Sequence, residues 1–194
     1  MIASVPSAEM AAAMRGLPCM AVDLGFSATS RSCGFASFDG KGPLSPVKRT
    51  FRECVDDVAA HVHRHGDSVL VIEAPLSACF NASGNPCARG PFEEASKPRW
   101  WSLRAGATMA LAAQYFLRFV QQRLGDGTLH LVEGFVVGQD SGADETVASH
   151  LLAGFAGQQA AAWYQPHAGA LSILDWLGNP PGQSCPVILA PRYA

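Results

Sequence analysis

Cys19-Met20-Ala21-Val22-Asp23-Leu24-Gly25-Phe26-Ser27 is followed after five residues by a second apolar run, Cys33-Gly34-Phe35-Ala36-Ser37-Phe38. The first run reads as a strand closed by an acid and a glycine. Open α/β sheets build their ligand sites at the carboxyl ends of such strands. An unpaired carboxylate in an apolar strand is costly, and a bound cation is one chemical reason to keep it there. The plainer reading places Asp23 just past the strand, accepting hydrogen bonds from the turn, where Asp and Gly are common.

Working outward, Asp39-Gly40 and Lys41-Gly42 mark a hairpin turn after the second strand. A third strand over Leu44 to Phe51 is polar and suits a sheet edge, because Pro46 cannot donate to a ladder. Val55, Val58, Ala59 and Val62 recur at helical spacing, predicting a helix from Cys54 to His65. Ser68-Val69-Leu70-Val71-Ile72-Glu73 is the clearest buried strand, of the kind found in parallel sheets covered on both faces. It too closes on an acid. Cys79 to Pro98 is a long irregular stretch, a loop placed close to the candidate site. A helix is expected over Trp100 to Gln122, then a strand Leu129 to Phe135 carrying Glu133. A last long helix opens at Ala143-Asp144-Glu145 and runs to about Tyr164, with Val147, Leu151, Leu152 and Phe155 as its stripe. Cys185 to Ala190 is a closing strand or a tucked tail.

Length and composition narrow the class. At 194 residues one domain is expected, over 19–194, with residues 1–18 as a weakly specified lead-in holding a helical turn or two around Ala8 to Met14. No apolar stretch reaches the roughly 18 residues that span a bilayer, so no membrane association is expected. The first residues lack the basic start and apolar centre of a secretory signal. Six cysteines are scattered without a C-x-x-C pair, which disfavours zinc ribbons and fits a reducing cytoplasm. The net charge of −2 carries no overall nucleic-acid signature, so a polyanion would have to be met by a local basic patch or a metal. His61 and His65 are four apart on the predicted helix, but a solvated helix end explains them without a metal. No G-x-S-x-G elbow and no P-loop is present.

The order β-β-β-α-β-α-β-α, with Val22-Asp23-Leu24-Gly25, then Val71-Ile72-Glu73-Ala74-Pro75-Leu76, then Ala143-Asp144-Glu145-Thr146-Val147-Ala148, resembles the ribonuclease H-like superfamily. Within it the resemblance is to the RuvC-like resolvases and related bacterial families, over about residues 19 to 160. It implies a mixed five-stranded sheet, three strands antiparallel and the rest parallel, with helices on both faces. It also implies a nuclease hydrolysing phosphodiester bonds of DNA or RNA, branched substrates included, with a homodimer implied by the resemblance alone. Asp23, Glu73 and Asp144 would then hold Mg²⁺ or Mn²⁺, two ions in that family, with Glu133 as a further catalytic acid. Where that family often has an acid or histidine one turn before the helix aspartate, this chain has Ser141 and, one residue earlier, Asp140. Asp140 or Glu133 is therefore the candidate for the missing ligand. Ser27, Ser77, Arg89, Arg99 and Arg104 are the candidates to touch substrate. Arg89, Lys97, Arg99 and Arg104, interleaved with Trp100 and Trp101, would grip phosphate and stack a base. The plainer reading packs the two tryptophans on the core.

Two rival readings use the same kind of fold. The first is a non-catalytic ribonuclease H-like scaffold that binds a nucleic acid, nucleotide or protein. The second is an actin-like nucleotide-binding protein, since Asp23 to Ser30 also looks like the first phosphate loop of that family. Nothing in the chain resembles the second loop it requires.

Overall fold

The computed structural model describes residues 1–25, 31–39, 41–42, 46–96, 100–102, 105–136, 143–177 and 184–191. Ile2–Ser4 (β1) and the helix Ala8–Ala13 (α1) lead into Cys19–Asp23 (β2), Cys33–Phe38 (β3) and Val47–Arg49 (β4). The helix Phe51–His65 (α2) connects to Ser68–Glu73 (β5), followed by Ser77–Ala78 (β6) and the helices Pro91–Ser96 (α3) and Ala105–Gln121 (α4). Leu129–Gly134 (β7), the helix Asp144–Phe155 (α5), Ala161–Tyr164 (β8), Leu171–Ser172 (β9) and Ile188–Pro191 (β10) complete the order. Short 3₁₀ turns occupy Trp100–Ser102 and Ile173–Leu177.

The protein is α/β with a mixed sheet. Among the described residues that sheet has eight strands rather than five, in the order β4-β3-β2-β5-β7-β10-β8, with β1 also paired to β7. The strands β4, β3 and β2 are antiparallel, and β5 and β7 run parallel to β2. The three additional strands are β1, β8 and β10. Residues 2–4 are therefore not a loose lead-in: Ile2, Ala3 and Ser4 pair with Leu129, His130 and Leu131. The strand β10 takes the same edge of β7 further along, where Ile188 pairs with Glu133. The last long helix stops at Phe155, short of Tyr164, because the chain turns at Gly157 (φ 77°), a left-handed conformation that favours glycine. Ala161 to Tyr164 then pairs antiparallel with β10.

The helix α2 begins three residues earlier than its apolar spacing suggests. Thr50 caps it, accepting from the Glu53 N–H, while the Glu53 carboxylate accepts from the Thr50 N–H. The third strand is correspondingly shorter, ending at Arg49. Val55, Val58 and Val62 of α2 pack with Met20, Val22, Leu70, Ile72, Leu129 and Leu131 on one face of the sheet, joined by Phe116 and Leu117 of α4. On the other face Cys19, Ala21, Val69, Val71 and Val132 meet Val147, Leu151 and Phe155 of α5 and Ala11 of α1. Strand side chains alternate between these faces with a period of two. No helix among the described residues is long and apolar enough to cross a membrane.

His61 lies on the buried side of α2, 6% exposed, with its ring centroid 4.5 Å from that of His65. Burial, with the charges of His65 and Arg64, pushes His61 down to about 4. Because the folded protein binds this proton less readily than the unfolded chain, stability is full above pH about 6.5 and is lost as pH falls toward 4. A urea titration across that window should show this acid limb, and His61→Leu should reduce it; an unchanged limb would place its origin elsewhere.

Candidate functional site

The register of the central strands brings two acids side by side. Asp23 pairs with Glu73 across β2 and β5, and residues paired in register project to the same face. The row continues outward through Gly34 to Lys48, since Asp23 pairs with Gly34 and Gly34 with Lys48. Two residues before Asp23, Ala21 belongs to the core under α5, so the row Lys48–Gly34–Asp23–Glu73 faces that helix.

Gly34 lets the start of α5 settle on this row, since a Cβ added there would collide with the backbone carbonyl of Asp144. A Cβ at Gly25 would collide with the Ser32 carbonyl and lie 3.0 Å from Asp144 Oδ2. The Asp144 carboxylate is therefore held beside the turn that follows Asp23. Ala143 holds the cap position and makes no side-chain cap bond; Asp144 is the first helical residue, where the helix dipole favours negative charge. Helix capping does not explain Asp144. Lys48 Nζ reaches Glu145 Oε2 at 3.6 Å on the outer side of the same turn.

The electrostatics follow from this crowding. Asp23 is 8% exposed, and burial drives its carboxyl far above the usual range. The neighbouring charge of Glu73, a hydrogen bond between the two carboxyls and the charge of Asp144 push it the same way. Asp23 and Glu73 thus titrate as one coupled pair whose doubly charged form is disfavoured by burial and mutual repulsion. Burial also raises Asp144, opposed by Lys48 and reinforced by Glu145. Cys33 is pushed up to about 11, mainly by burial, with Asp23 and Asp144 adding to it.

Glu133 does not join this group. It pairs with Ile72, one position before Glu73, so it projects to the opposite face, toward α4. There Arg89 Nη1 meets Glu133 Oε2 at 2.8 Å and Arg89 Nε meets Glu93 Oε1 at 3.3 Å, all three side chains fully buried. The Leu76 N–H donates to Glu133 Oε2 (2.7 Å) and the Arg89 N–H to Glu93 Oε2 (2.7 Å). Ser77 accepts from Arg89 Nη1 through both its carbonyl and its hydroxyl oxygen. Burial lifts Glu133 above the ordinary carboxylate range, while Arg89 and the Leu76 N–H pull against that rise. Glu133 is thus buried on the face opposite Asp23 and Glu73, with Arg89 as its ion-pair partner and Ser77 joined to it through Arg89; Glu133 Oε1 and Arg89 Nη2 have no hydrogen-bond partner among the described residues. Trp101 is also buried, 8% exposed, its ring N–H donating to the Cys87 carbonyl at 2.8 Å.

Of the remaining candidates, Ser27, Lys97, Arg99, Arg104 and Asp140 lie outside the described residues. Lys48 and Gly34 belong to the site although they were not selected from the sequence. The hints were a cation on the polar edge strand and a glycine inside an apolar one. Among the described residues no three His, Cys, Asp or Glu side chains already surround one point at metal-ligand geometry. Asp23, Glu73 and Asp144 nevertheless supply hard oxygen donors whose mutual repulsion a divalent cation would relieve, so the donor chemistry fits Mg²⁺ or Mn²⁺.

The two acid groups predict opposite stability effects. Glu133→Gln should cost up to about 3–5 kcal/mol in urea denaturation, because it strips a buried guanidinium of one of its two charge partners. Asp23→Asn should raise the urea midpoint in metal-free buffer, since it removes a source of like-charge crowding; a lower midpoint would count against that crowding. Gly34→Ala should cost about 1–3 kcal/mol as the first turn of α5 is pushed outward, and an unperturbed midpoint would contradict the close approach.

Comparison of the chain with protein-family models, curated proteins and solved structures gives no match, so the site is read from its own residues.

Proposed function

We propose that this chain is a ribonuclease H-like, divalent-metal-dependent nuclease domain, hydrolysing phosphodiester bonds of DNA or RNA at Asp23, Glu73 and Asp144. One observation carries the reading: two acids that close adjacent parallel strands stand in register, and a third is lowered onto them by α5. The five central strands, antiparallel over β4-β3-β2 and parallel over β2-β5-β7, support it as the arrangement that the resemblance implies.

Asp23, the most buried of the three, would be the inner ligand, with Glu73 beside it and Asp144 closing from the helix. Mg²⁺ or Mn²⁺ held there would supply charge stabilisation for the attacking and leaving oxygens of an in-line displacement. The chain's own part is to exclude water on the core side of Asp23, hold the carboxylates together and keep Lys48 on the outer edge. Asp140, outside the described residues, remains the candidate for a fourth ligand.

The burial of Arg89 and Ser77 removes two of the residues proposed to touch substrate, which favours a second reading: a scaffold of the same fold that binds a nucleic acid without cutting it. Two measurements separate the readings. Mg²⁺ or Mn²⁺ at about 100 times its Kd should stabilise the wild type by about 2.7 kcal/mol, and Asp23→Asn should abolish that shift. Labelled single-stranded, duplex and branched DNA and RNA should be cut only with metal, and Asp23→Asn should slow cutting about 100-fold or more. A metal-induced shift without cutting would favour the scaffold. Neither a shift nor cutting by folded wild type would reject the metal site.

A further inference from the structure

Beyond β6 the chain doubles back on itself. Phe80 and Pro86 form a bridge, the Asn81 N–H donates to the Asn85 carbonyl (2.9 Å) and the Cys87 N–H to the Cys79 carbonyl (2.9 Å). Asn81 Oδ1 fastens the tip by accepting from the N–H groups of Ser83 and Asn85, each at 3.0 Å. Cys79 and Cys87 therefore face one another across the base of a hairpin, with their Sγ atoms 3.4 Å apart. Hydrogen-bonded partners across antiparallel strands have Cα atoms about 5.5 Å apart. That separation falls within the range that a disulfide spans without moving the backbone.

The pair differs from the other thiols. Cys19, Cys33, Cys54 and Cys185 are buried, whereas Cys87 is only partly so and backs directly onto buried Cys79. We propose that Cys79 and Cys87 form a reversible dithiol–disulfide site, oxidised by a low-molecular-weight disulfide. The Cys87 thiol loses its proton and its sulfur attacks one sulfur of the oxidant. One equivalent of the small thiol leaves with that proton, and a mixed disulfide remains on Cys87. Cys79 then loses its proton and attacks Cys87 Sγ, expelling the second equivalent. Two electrons and two protons pass from the protein to the oxidant, and one Sγ–Sγ bond forms. Cytosolic disulfides, where they occur, are mostly transient or redox-sensing, which is the behaviour assigned to this pair.

Closure would turn the hairpin into a covalent ring. Phe80 and Pro86 are part of the wall of a cavity of about 310 Å³ that Trp101, Leu111 and Ile173 also line. Phe80 meets Trp101 edge-on, ring centroids 5.1 Å apart, and the Cys87 carbonyl accepts the Trp101 ring N–H. Oxidation thus fixes one wall of that cavity, and reduction frees it.

The test uses the full chain incubated with oxidised glutathione, then quenched, alkylated and mapped by peptide mass spectrometry. Wild type should give a Cys79–Cys87 cross-linked peptide, with the other cysteines alkylated. Cys79→Ser should retain glutathione on Cys87, because the resolving thiol is gone. Cys87→Ser should give neither product. Glutathione persisting on Cys87 of the wild type, or a cross-link that forms only in denaturant, would overturn the proposal. So would Cys79→Ser that takes up no glutathione.

Discussion

The parallel pairing of β2 with β5 sets the rest of the molecule. Both strands are apolar along almost their whole length and are covered on both faces, so their register is held by the helices as well as by the ladder. A slip of one residue would turn each core side chain to the wrong face. Because the register is held so firmly, the acids that end these strands cannot move apart. Burial and repulsion at Asp23 are opposed by the apolar packing beneath it, which is how a fold retains a locally unfavourable group.

The protein handles its buried acids in two ways. Toward α5, Asp23, Glu73 and Asp144 crowd together, and Lys48 lies near Asp144 as an opposing charge. Toward α4, Glu133 and Glu93 share a guanidinium and receive backbone N–H groups. The second arrangement is charge-paired and ties the segment after Glu73, through Leu76 and Ser77, to β7, while Glu133 Oε1 and Arg89 Nη2 find no hydrogen-bond partner among the described residues. The second group holds the chain together through its cation, and the first is where we place the proposed metal.

Much of this was legible in the sequence where one interaction dominates. Continuous aliphatic runs marked β2, β5 and β7, and the valine spacing marked the buried side of α2. The terminal acids of β2 and β5 were legible because each closes an apolar run. Glu133 misled because strand periodicity alone does not fix register against a neighbour: it stands one residue before the end of β7, on the other face. Arg89 misled because a cation between proline, glycine and asparagine looks solvated, and only tertiary folding delivers Glu133 to it. The strands β1 and β8 have three and four residues, too few for a period to show, whereas β10 falls largely in the stretch read as a closing strand or a tucked tail. The capping box at Thr50 and Glu53 was present as a motif and was masked by the stronger valine pattern.

The sharing of one edge of β7 by β1 and β10 has a bearing on the order in which the molecule is assembled. During synthesis Ile2 to Ser4 emerges early, yet its ladder partners, Leu129 to Leu131, emerge far later. Contacts of such long sequence separation close a long loop and are slow to form. Until then Ile2 to Ser4 have no strand to pair with, and one edge of the sheet stays open. The strand β1 therefore reaches its place long after it is made, and a nascent fragment ending before β7 would carry a central sheet without the seam that joins its two halves.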